Sequence, residues 1–192
     1  MRQSRYRRRS QGASMHANRL RQIWAEGRPA LIGRFRGEPG LEKVAVKIGD
    51  VDCIPPREVA AALNQFEAKL QGIVAELDKK YPMGADIDSQ DGMLAVIDLA
   101  AWAHAEWIRI HPFANGNGRT ARAWADILLA RYGLPPAIDL RPRPGGYYAL
   151  ACAIAMRGDW KPTADVFLLL ITDELVSRTT RSRGRTVPKR RR

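Results

Sequence analysis

The sequence predicts a mainly α-helical fold of about six helices with one small β-hairpin. Apolar residues recur at three- and four-residue steps through most of the chain, which is the period of helices buried on one side. One short segment is rich in β-favouring residues, and Gly49-Asp50 interrupts it as a hairpin turn would. A chain of 192 residues without an internal repeat fits one domain of ordinary size.

The elements before residue 90 follow from the placement of apolar residues. Residues 13–25 predict a short helix, which Gly27 ends. Residues 34–54 predict the hairpin, which either pairs with an extended partner segment or only stabilises the fold. Residues 86–92 are acidic and polar, so we expect a loop there. A long amphipathic helix lies between hairpin and loop, with an apolar face made of Val59, Leu63, Phe66, Leu70, Ile73, Val74 and Leu77.

Two further helices flank the sequence HPFANGNGRTAR. Apolar residues are periodic over residues 93–110, and Pro112 disfavours helical geometry at the residue before it, so the first helix should end near residue 110. The second periodic stretch begins at residue 117 or 118 and runs to residue 133, and residues 147–156 and 164–176 predict two closing helices. The sequence between the first two is therefore a helix–loop–helix connection.

The start of the second helix predicts an anion site. Its first backbone N–H groups have no intrahelical acceptor and lie at the positive end of the helix dipole. Gly116 and Gly118 lack a Cβ, so an anion can approach the backbone closely. Arg119 and Arg122 project from neighbouring parts of the helix surface, and both can donate charge-assisted hydrogen bonds to phosphate oxygens.

A proton acceptor stands beside this anion site. His111 is the nearby side chain that is expected to titrate near neutral pH, which suits a general base. Phe113 is apolar inside a polar loop, so we expect it to pack inward as the loop anchor. The alternative is a tight interhelical turn with incidental arginines. The joint spacing of the histidine, the phenylalanine, the Gly-Asn-Gly turn and the two arginines favours a phosphate site.

These residues resemble the signature of the Fic (Fido-domain) family, HxFx(D/E)GNGRxxR. The resemblance extends over roughly residues 28–175, where RFRG, VAVKIGD and IPP look like the family's hairpin flap, and the last two predicted helices look like its closing helices. It implies a Fic/Fido helical bundle over residues 13–176. The positions that match the signature are His111, Phe113, Gly116, Asn117, Gly118, Arg119 and Arg122.

The resemblance implies a protein nucleotidyltransferase. Family members usually transfer AMP from ATP to a Ser, Thr or Tyr hydroxyl of a target protein, docked on the flap, and release pyrophosphate. By this resemblance His111 would accept the hydroxyl proton. The loop backbone with Asn117 and Arg119 would hold the α- and β-phosphates, and Arg122 the far phosphates. ATP and Mg²⁺ are the implied co-substrate and metal.

Asn115 departs from the family pattern, which has an acidic residue there that helps to hold Mg²⁺. An amide oxygen supplies only a dipole, so Asn115 is a weak metal candidate and we expect weaker Mg²⁺ binding. Gly118 argues against a branch of the family that has lysine there and phosphorylates its target. Three alternatives stay open: transfer of another phosphate-linked group, removal of AMP, or a nucleotide-binding module with weak catalysis.

Many family members carry an inhibitory helix with the pattern (S/T)xxxE(G/N), whose glutamate pairs with the second arginine of the motif. Glu26 with Gly27 is the nearest match, but Gln22 stands where Ser or Thr belongs. Glu26 is therefore one candidate inhibitor. The other expectations are a separate small antitoxin, as in a toxin–antitoxin pair, or no inhibition.

The net charge of +12 comes from the two ends of the chain. Residues 1–10 carry five arginines and residues 177–192 carry eight basic side chains, so the residues between them sum to about −1. We expect residues 1–12 to form a disordered basic arm and residues 177–192 a disordered basic tail. Both are either solvated ends or contacts for nucleic acid or another anionic surface.

Other residue types narrow the class of protein. Cys53 and Cys152 show no spacing pattern and predict reduced thiols. His104 predicts an interior histidine rather than a metal ligand, and Tyr147 and Tyr148 predict either core packing or contact with a nucleotide base. No apolar run is long enough to span a membrane, and no secretory signal begins the sequence, so we expect a cytoplasmic protein or an exported effector.

Overall fold

The computed structural model describes residues 33–84, 87, 89–136, 138–139 and 143–184. The helix predicted over residues 13–25, the basic arm and Glu26 lie outside the described residues. The described part has five α-helices and one two-stranded hairpin, so the prediction of a mainly helical fold with a small hairpin is confirmed. Within it, no helix combines the length and the apolar character needed to cross a bilayer.

The hairpin is shorter than the sequence predicts. Strand β1 (Lys47–Ile48) pairs antiparallel with β2 (Val51–Asp52), and Ile48 lies opposite Val51 across the Gly49-Asp50 turn. The residues before β1 form turns instead, because Gly37 and Gly40 adopt φ angles of 92° and 83° that bend the chain. A backbone hydrogen bond of 3.0 Å from Gly37 to the carbonyl of Leu41 closes one of these turns.

A 3-10 turn over Pro56–Glu58 follows the hairpin, and the helices come after it. The loop predicted over residues 86–92 ends early, because the Ser89 hydroxyl accepts a hydrogen bond of 3.1 Å from the Gly92 N–H and caps a helix that begins at Gln90. The last helix continues to Gly184, so the prediction of a disordered tail is wrong for residues 177–184. Glu174 pairs with Arg178 at 2.7 Å and with Arg181 at 3.9 Å, which supports the added helical turns. The helices are α1 (Val59–Lys80), α2 (Gln90–Ile110), α3 (Asn117–Arg131), α4 (Tyr148–Ala155) and α5 (Lys161–Gly184).

Helix α2 is the centre of the core, since it packs against each of the other four helices. Ala100, Ala101 and Ala103 are fully buried along it, and their small side chains allow neighbouring helices to come close. Aromatic packing joins α1 to α2 and α3, where the Phe66 ring contacts Trp102, Trp107 and Trp124 at centroid distances of 5.5, 5.6 and 5.9 Å. These three tryptophans therefore pack between the helices.

Arg36 joins the hairpin segment to the end of α2. Its side chain is only 1% exposed. Nε donates to the carbonyl of His111 at 2.7 Å and Nη2 to that of Ile110 at 2.9 Å. Nη1 donates to the carbonyl of Val44 at 3.1 Å, and Nη2 also to that of Ile54 at 2.8 Å. The guanidinium thus bonds carbonyls before the hairpin, after it and at the helix end.

We expect Arg36→Met to lower the free energy of unfolding by about 3 kcal/mol or more, because the variant leaves four backbone acceptors without their charged donor. Chemical denaturation measures this. Arg34→Met is the matched control: it removes a half-exposed arginine paired with Glu38 at 3.5 Å, and we expect a loss within about 1 kcal/mol. Equal losses in the two variants would contradict the role given to Arg36.

Candidate active site

His111 stands at the C-terminal end of α2 in an unusual backbone conformation. Its φ is 52° and its ψ 55°, and among the described residues no other non-glycine residue has a positive φ. Two contacts hold it there. Its N–H donates to the Trp107 carbonyl at 2.9 Å, and its own carbonyl accepts from Arg36 at 2.7 Å. Pro112 disfavours right-handed helical geometry at the residue before it, so the helix ends at Ile110 and His111 adopts the left-handed conformation.

The ring of His111 is held in the form that a general base needs. Its Nδ1 lies 3.1 Å from the carbonyl oxygen of Ile108. A carbonyl only accepts hydrogen bonds, so Nδ1 carries the proton and the lone pair of the neutral ring is on Nε2. Partial burial lowers the pKa of His111, and the positive charge of Arg36 lowers it further, although the Ile108 carbonyl acts in the opposite direction. The ring is therefore neutral, with an acceptor at Nε2, at neutral pH.

The side chain of Asn117 closes the loop on itself. Its Oδ1 accepts from the Phe113 N–H at 2.9 Å, and its Nδ2 donates to the Phe113 carbonyl at 2.8 Å. Asn117 is 1% exposed, so this pair of bonds is shielded from water. Phe113 packs its ring against Phe35 at 5.0 Å and Trp107 at 6.0 Å. The loop is thus fixed by one amide and one aromatic ring, which leaves its backbone N–H groups preorganised.

The start of α3 has the geometry of an anion site. Gly116 caps the helix with a φ of 95°, a conformation that favours glycine. Its carbonyl accepts from the N–H groups of Arg119 and Thr120, each at 3.1 Å. The N–H groups of Asn117 and Gly118 precede this first intrahelical bond and lie at the positive end of the helix. They are the donors that a phosphate would meet.

The two arginines lie at different depths. Arg119 is half-buried, whereas Arg122 is only 6% exposed and its Nη1 donates to the Tyr148 hydroxyl at 3.4 Å. A Cβ placed on Gly118 would lie 3.4 Å from that Nη1, which shows that the Arg122 guanidinium reaches back beside the first turn of its own helix. Tyr148 is buried and Tyr147 is 51% exposed, so Tyr147 is the one of the pair whose ring is open to a ligand.

The side chains around the loop do not form a magnesium site by themselves. Asn115 is exposed at the tip of the loop and contributes a neutral amide oxygen. In the part of the chain that the structure describes, no group of three or more His, Cys, Asp or Glu side chains could hold a metal ion. Mg²⁺ is usually bound by one or two carboxylates together with substrate phosphates. The donor set here therefore lacks the charged oxygen that such a site requires.

The structure brings together most residues that the sequence analysis selects. His111 and Phe113 lie before the turn, Gly116 to Arg119 form it, and Arg122 folds back beside it. The role of Arg36 does not follow from the sequence pattern, in which it is only the second arginine of RFRG. Among 32 basic residues, nothing local distinguishes it, because its partners are backbone carbonyls 8 to 75 residues away. The structure confirms His104 as an interior residue, with no exposed surface.

Comparison with known proteins agrees with this geometry. Residues 14–129 match the family model described as the Fic/DOC family. The protein adenylyltransferase Fic of Drosophila mojavensis is 40% identical over 73 residues, which are 38% of this chain and 14% of that protein. The protein of the same name from Drosophila melanogaster is 41% identical over 66 residues, which are 34% of this chain and 13% of that protein. The match thus spans about a seventh of the length of these relatives.

We expect His111 to titrate with a midpoint below 6.5, its usual value, because burial and the charge of Arg36 disfavour the protonated ring. The proton-accepting form then persists to a lower pH than in an exposed histidine. NMR titration of the ring signals measures this, with the spectrum of His111→Gln identifying which signal belongs to His111. A midpoint at or above 6.5 would contradict the described environment.

Proposed function

The chain belongs to the Fic/DOC family, and we propose that it is a protein adenylyltransferase that transfers AMP from ATP to a Ser, Thr or Tyr hydroxyl of a target protein. One observation carries the proposal. Nδ1 of His111 is bonded to the Ile108 carbonyl, which leaves Nε2 as the proton acceptor, and this histidine directly precedes the closed loop at the start of α3. Relatives named protein adenylyltransferase share about 40% of the residues in the matched segment, which supports this activity.

In the proposed reaction, the target hydroxyl attacks the α-phosphorus of ATP. The new bond joins that oxygen to the α-phosphorus, and the bond to the β-phosphate oxygen breaks, so pyrophosphate leaves. Nε2 of His111 accepts the hydroxyl proton. Because Nδ1 is fixed on the Ile108 carbonyl, the imidazolium that forms keeps its orientation and stays partnered. The same ring would then release the proton to water between turnovers.

The loop and the helix start would hold the phosphates. The backbone N–H groups of Asn117 and Gly118, at the start of α3, would donate to the α- and β-phosphates, with Arg119 beside them. Arg122 would bind the phosphates that leave. Donors that are fixed before the reaction stabilise charge on the phosphate oxygens without reorganising. The Asn117 side chain contributes by shaping the loop, since its amide is bonded to Phe113.

Magnesium would be held mainly by the nucleotide. When bound, Mg²⁺ neutralises phosphate charge, and Asn115 offers it one neutral oxygen. The charged protein groups assigned to the phosphates are therefore the arginines. We therefore expect the affinity of the protein for ATP to depend only weakly on Mg²⁺.

The hairpin is the proposed docking place for the target. Its strands are two residues each, and Lys47 and Asp52 are exposed and form an ion pair of 3.3 Å across it. An extended segment could add to such a hairpin through backbone hydrogen bonds. Arg36 ties the hairpin segment to the His111 carbonyl, so a segment bound there would be held at a fixed distance from the base. Control by a small antitoxin or by Glu26 is a further proposal.

The activity is tested by incubating the protein with α-labelled ATP, Mg²⁺ or Mn²⁺ and a cell lysate. We expect wild type to label a protein band and His111→Ala to give no label above background, because general-base catalysis contributes about 10²–10⁴-fold. His16→Ala is the matched histidine control outside the signature, and we expect it to keep measurable labelling. Label that survives in His111→Ala would contradict the role of His111, and no label with any metal would contradict AMP transfer from ATP.

A nucleotide-binding module with weak catalysis is the second candidate, and the exposed amide of Asn115 is the observation that favours it. We expect Asn115→Asp to raise labelling about ten-fold or more at low Mg²⁺, because the variant supplies the charged oxygen that the metal prefers. Labelling rates across a Mg²⁺ titration measure this, and Asn115→Gln is the neutral control. An unchanged rate in Asn115→Asp at every metal concentration would contradict the metal account of Asn115.

A further inference from the structure

A chain of buried polar side chains runs from the middle of α2 to Arg122. His104 on α2 has no exposed surface, Tyr148 at the start of α4 is 3% exposed, and Arg122 on α3 is 6% exposed. Nε2 of His104 lies 2.7 Å from the Tyr148 hydroxyl, and Nη1 of Arg122 lies 3.4 Å from the same oxygen. Three helices thus meet at one phenol oxygen next to the proposed phosphate site.

The Tyr148 hydroxyl oxygen has two polar partners in this chain. A guanidinium has no acceptor atom, so Arg122 donates and the Tyr148 oxygen accepts. The second hydrogen bond of the hydroxyl, to Nε2 of His104, fixes the position of that oxygen. His104 stays neutral, because burial and the nearby charge of Arg122 lower its pKa to about 3. A neutral histidine adds no positive charge that would repel the guanidinium.

Packing holds the two supporting rings in place. The His104 ring meets Tyr148 edge-on at 5.6 Å and Phe167 of α5 at 5.3 Å. The Arg122 guanidinium carbon lies 6.0 Å from the centre of the Tyr148 ring, within reach of a cation–π contact. A buried polar network inside a packed core is rigid when its bonds are made, since the low dielectric strengthens them.

We propose that Tyr148 and His104 are positioning residues that hold the Arg122 guanidinium ready for the phosphates of the bound nucleotide. The inference rests on the proposed function, in which Arg122 binds the leaving phosphates. An arginine side chain loses rotamer entropy when it is ordered on binding. An arginine that Tyr148 already orders loses less rotamer entropy on binding, because part of that entropy is lost during folding.

The first test measures the order of Arg122 without any nucleotide. Tyr148→Phe removes one oxygen atom and keeps the ring. In ¹⁵N NMR spectra, we expect the Arg122 side-chain N–H signal to be sharp in wild type and to broaden and exchange faster in Tyr148→Phe. His104→Leu should behave like Tyr148→Phe, and His104→Gln should restore the signal, because its amide can reach the hydroxyl and either donate or accept. An Arg122 signal unchanged in Tyr148→Phe would overturn the inference.

The second test measures ATP binding by calorimetry in a double-mutant cycle. We expect Tyr148→Phe to weaken ATP binding about ten-fold in wild type and to have no further effect in Arg122→Ala, because the hydroxyl acts only through Arg122. A merely structural role of Tyr148 would weaken binding equally in both backgrounds, and that result would overturn the inference.

Tyr132→Phe is the matched control for both tests. It also removes a hydroxyl from a buried tyrosine, whose partner is Asp78 at 2.9 Å. We expect a loss of thermal stability with normal ATP affinity. If wild type binds ATP but transfers no AMP, the proposed function fails while the cycle still decides the inference. If wild type does not bind ATP, both the phosphate role of Arg122 and this inference fail, whatever the NMR result.

Discussion

A buried guanidinium connects the hairpin segment to the backbone of His111. The Arg36 guanidinium donates to four backbone carbonyls: two at the end of α2, one before the hairpin and one after it. The backbone N–H of Arg36 donates to the Pro112 carbonyl at 2.7 Å. Burial of the charge is unfavourable and lowers the pKa of Arg36. The carbonyl partners offset that cost. The position of the hairpin segment and the conformation of His111 therefore depend on one side chain.

The loss of helical geometry at the end of α2 determines the backbone conformation of His111. A histidine inside a helix would have its backbone carbonyl bonded within that helix. Here Pro112 ends the helix, and Arg36 donates a hydrogen bond to the His111 carbonyl. The left-handed conformation at His111 carries strain, which the surrounding contacts of Trp107 and Arg36 sustain. The ring then faces the loop with its tautomer fixed by the Ile108 carbonyl. The strained backbone and the ring with an acceptor at Nε2 thus belong to the same residue.

The site concentrates its positive charge in a helix start and two arginines, with a neutral amide at the loop tip. Arg119 is half-buried, whereas Arg122 is buried in the core beside Tyr148. Donors that are fixed before a reaction stabilise transition-state charge without reorganising. In the proposed reaction, the neutral amide of Asn115 would leave the metal to the nucleotide, and the arginines would supply the charged protein groups for the phosphates.

The sequence by itself determined the helical class, the ends of the two helices around the loop, and the residues of the loop. These are local properties: apolar period, proline restriction and glycine conformation act within a few residues. Tertiary structure alone decided the roles of Arg36, Tyr148 and His104, since their partners lie 8 to 75 residues away and include backbone atoms that no side-chain pattern encodes. It also shortened the hairpin and moved the start of α2 to Gln90, because positive-φ glycines and the Ser89 cap overrode the segment's average composition.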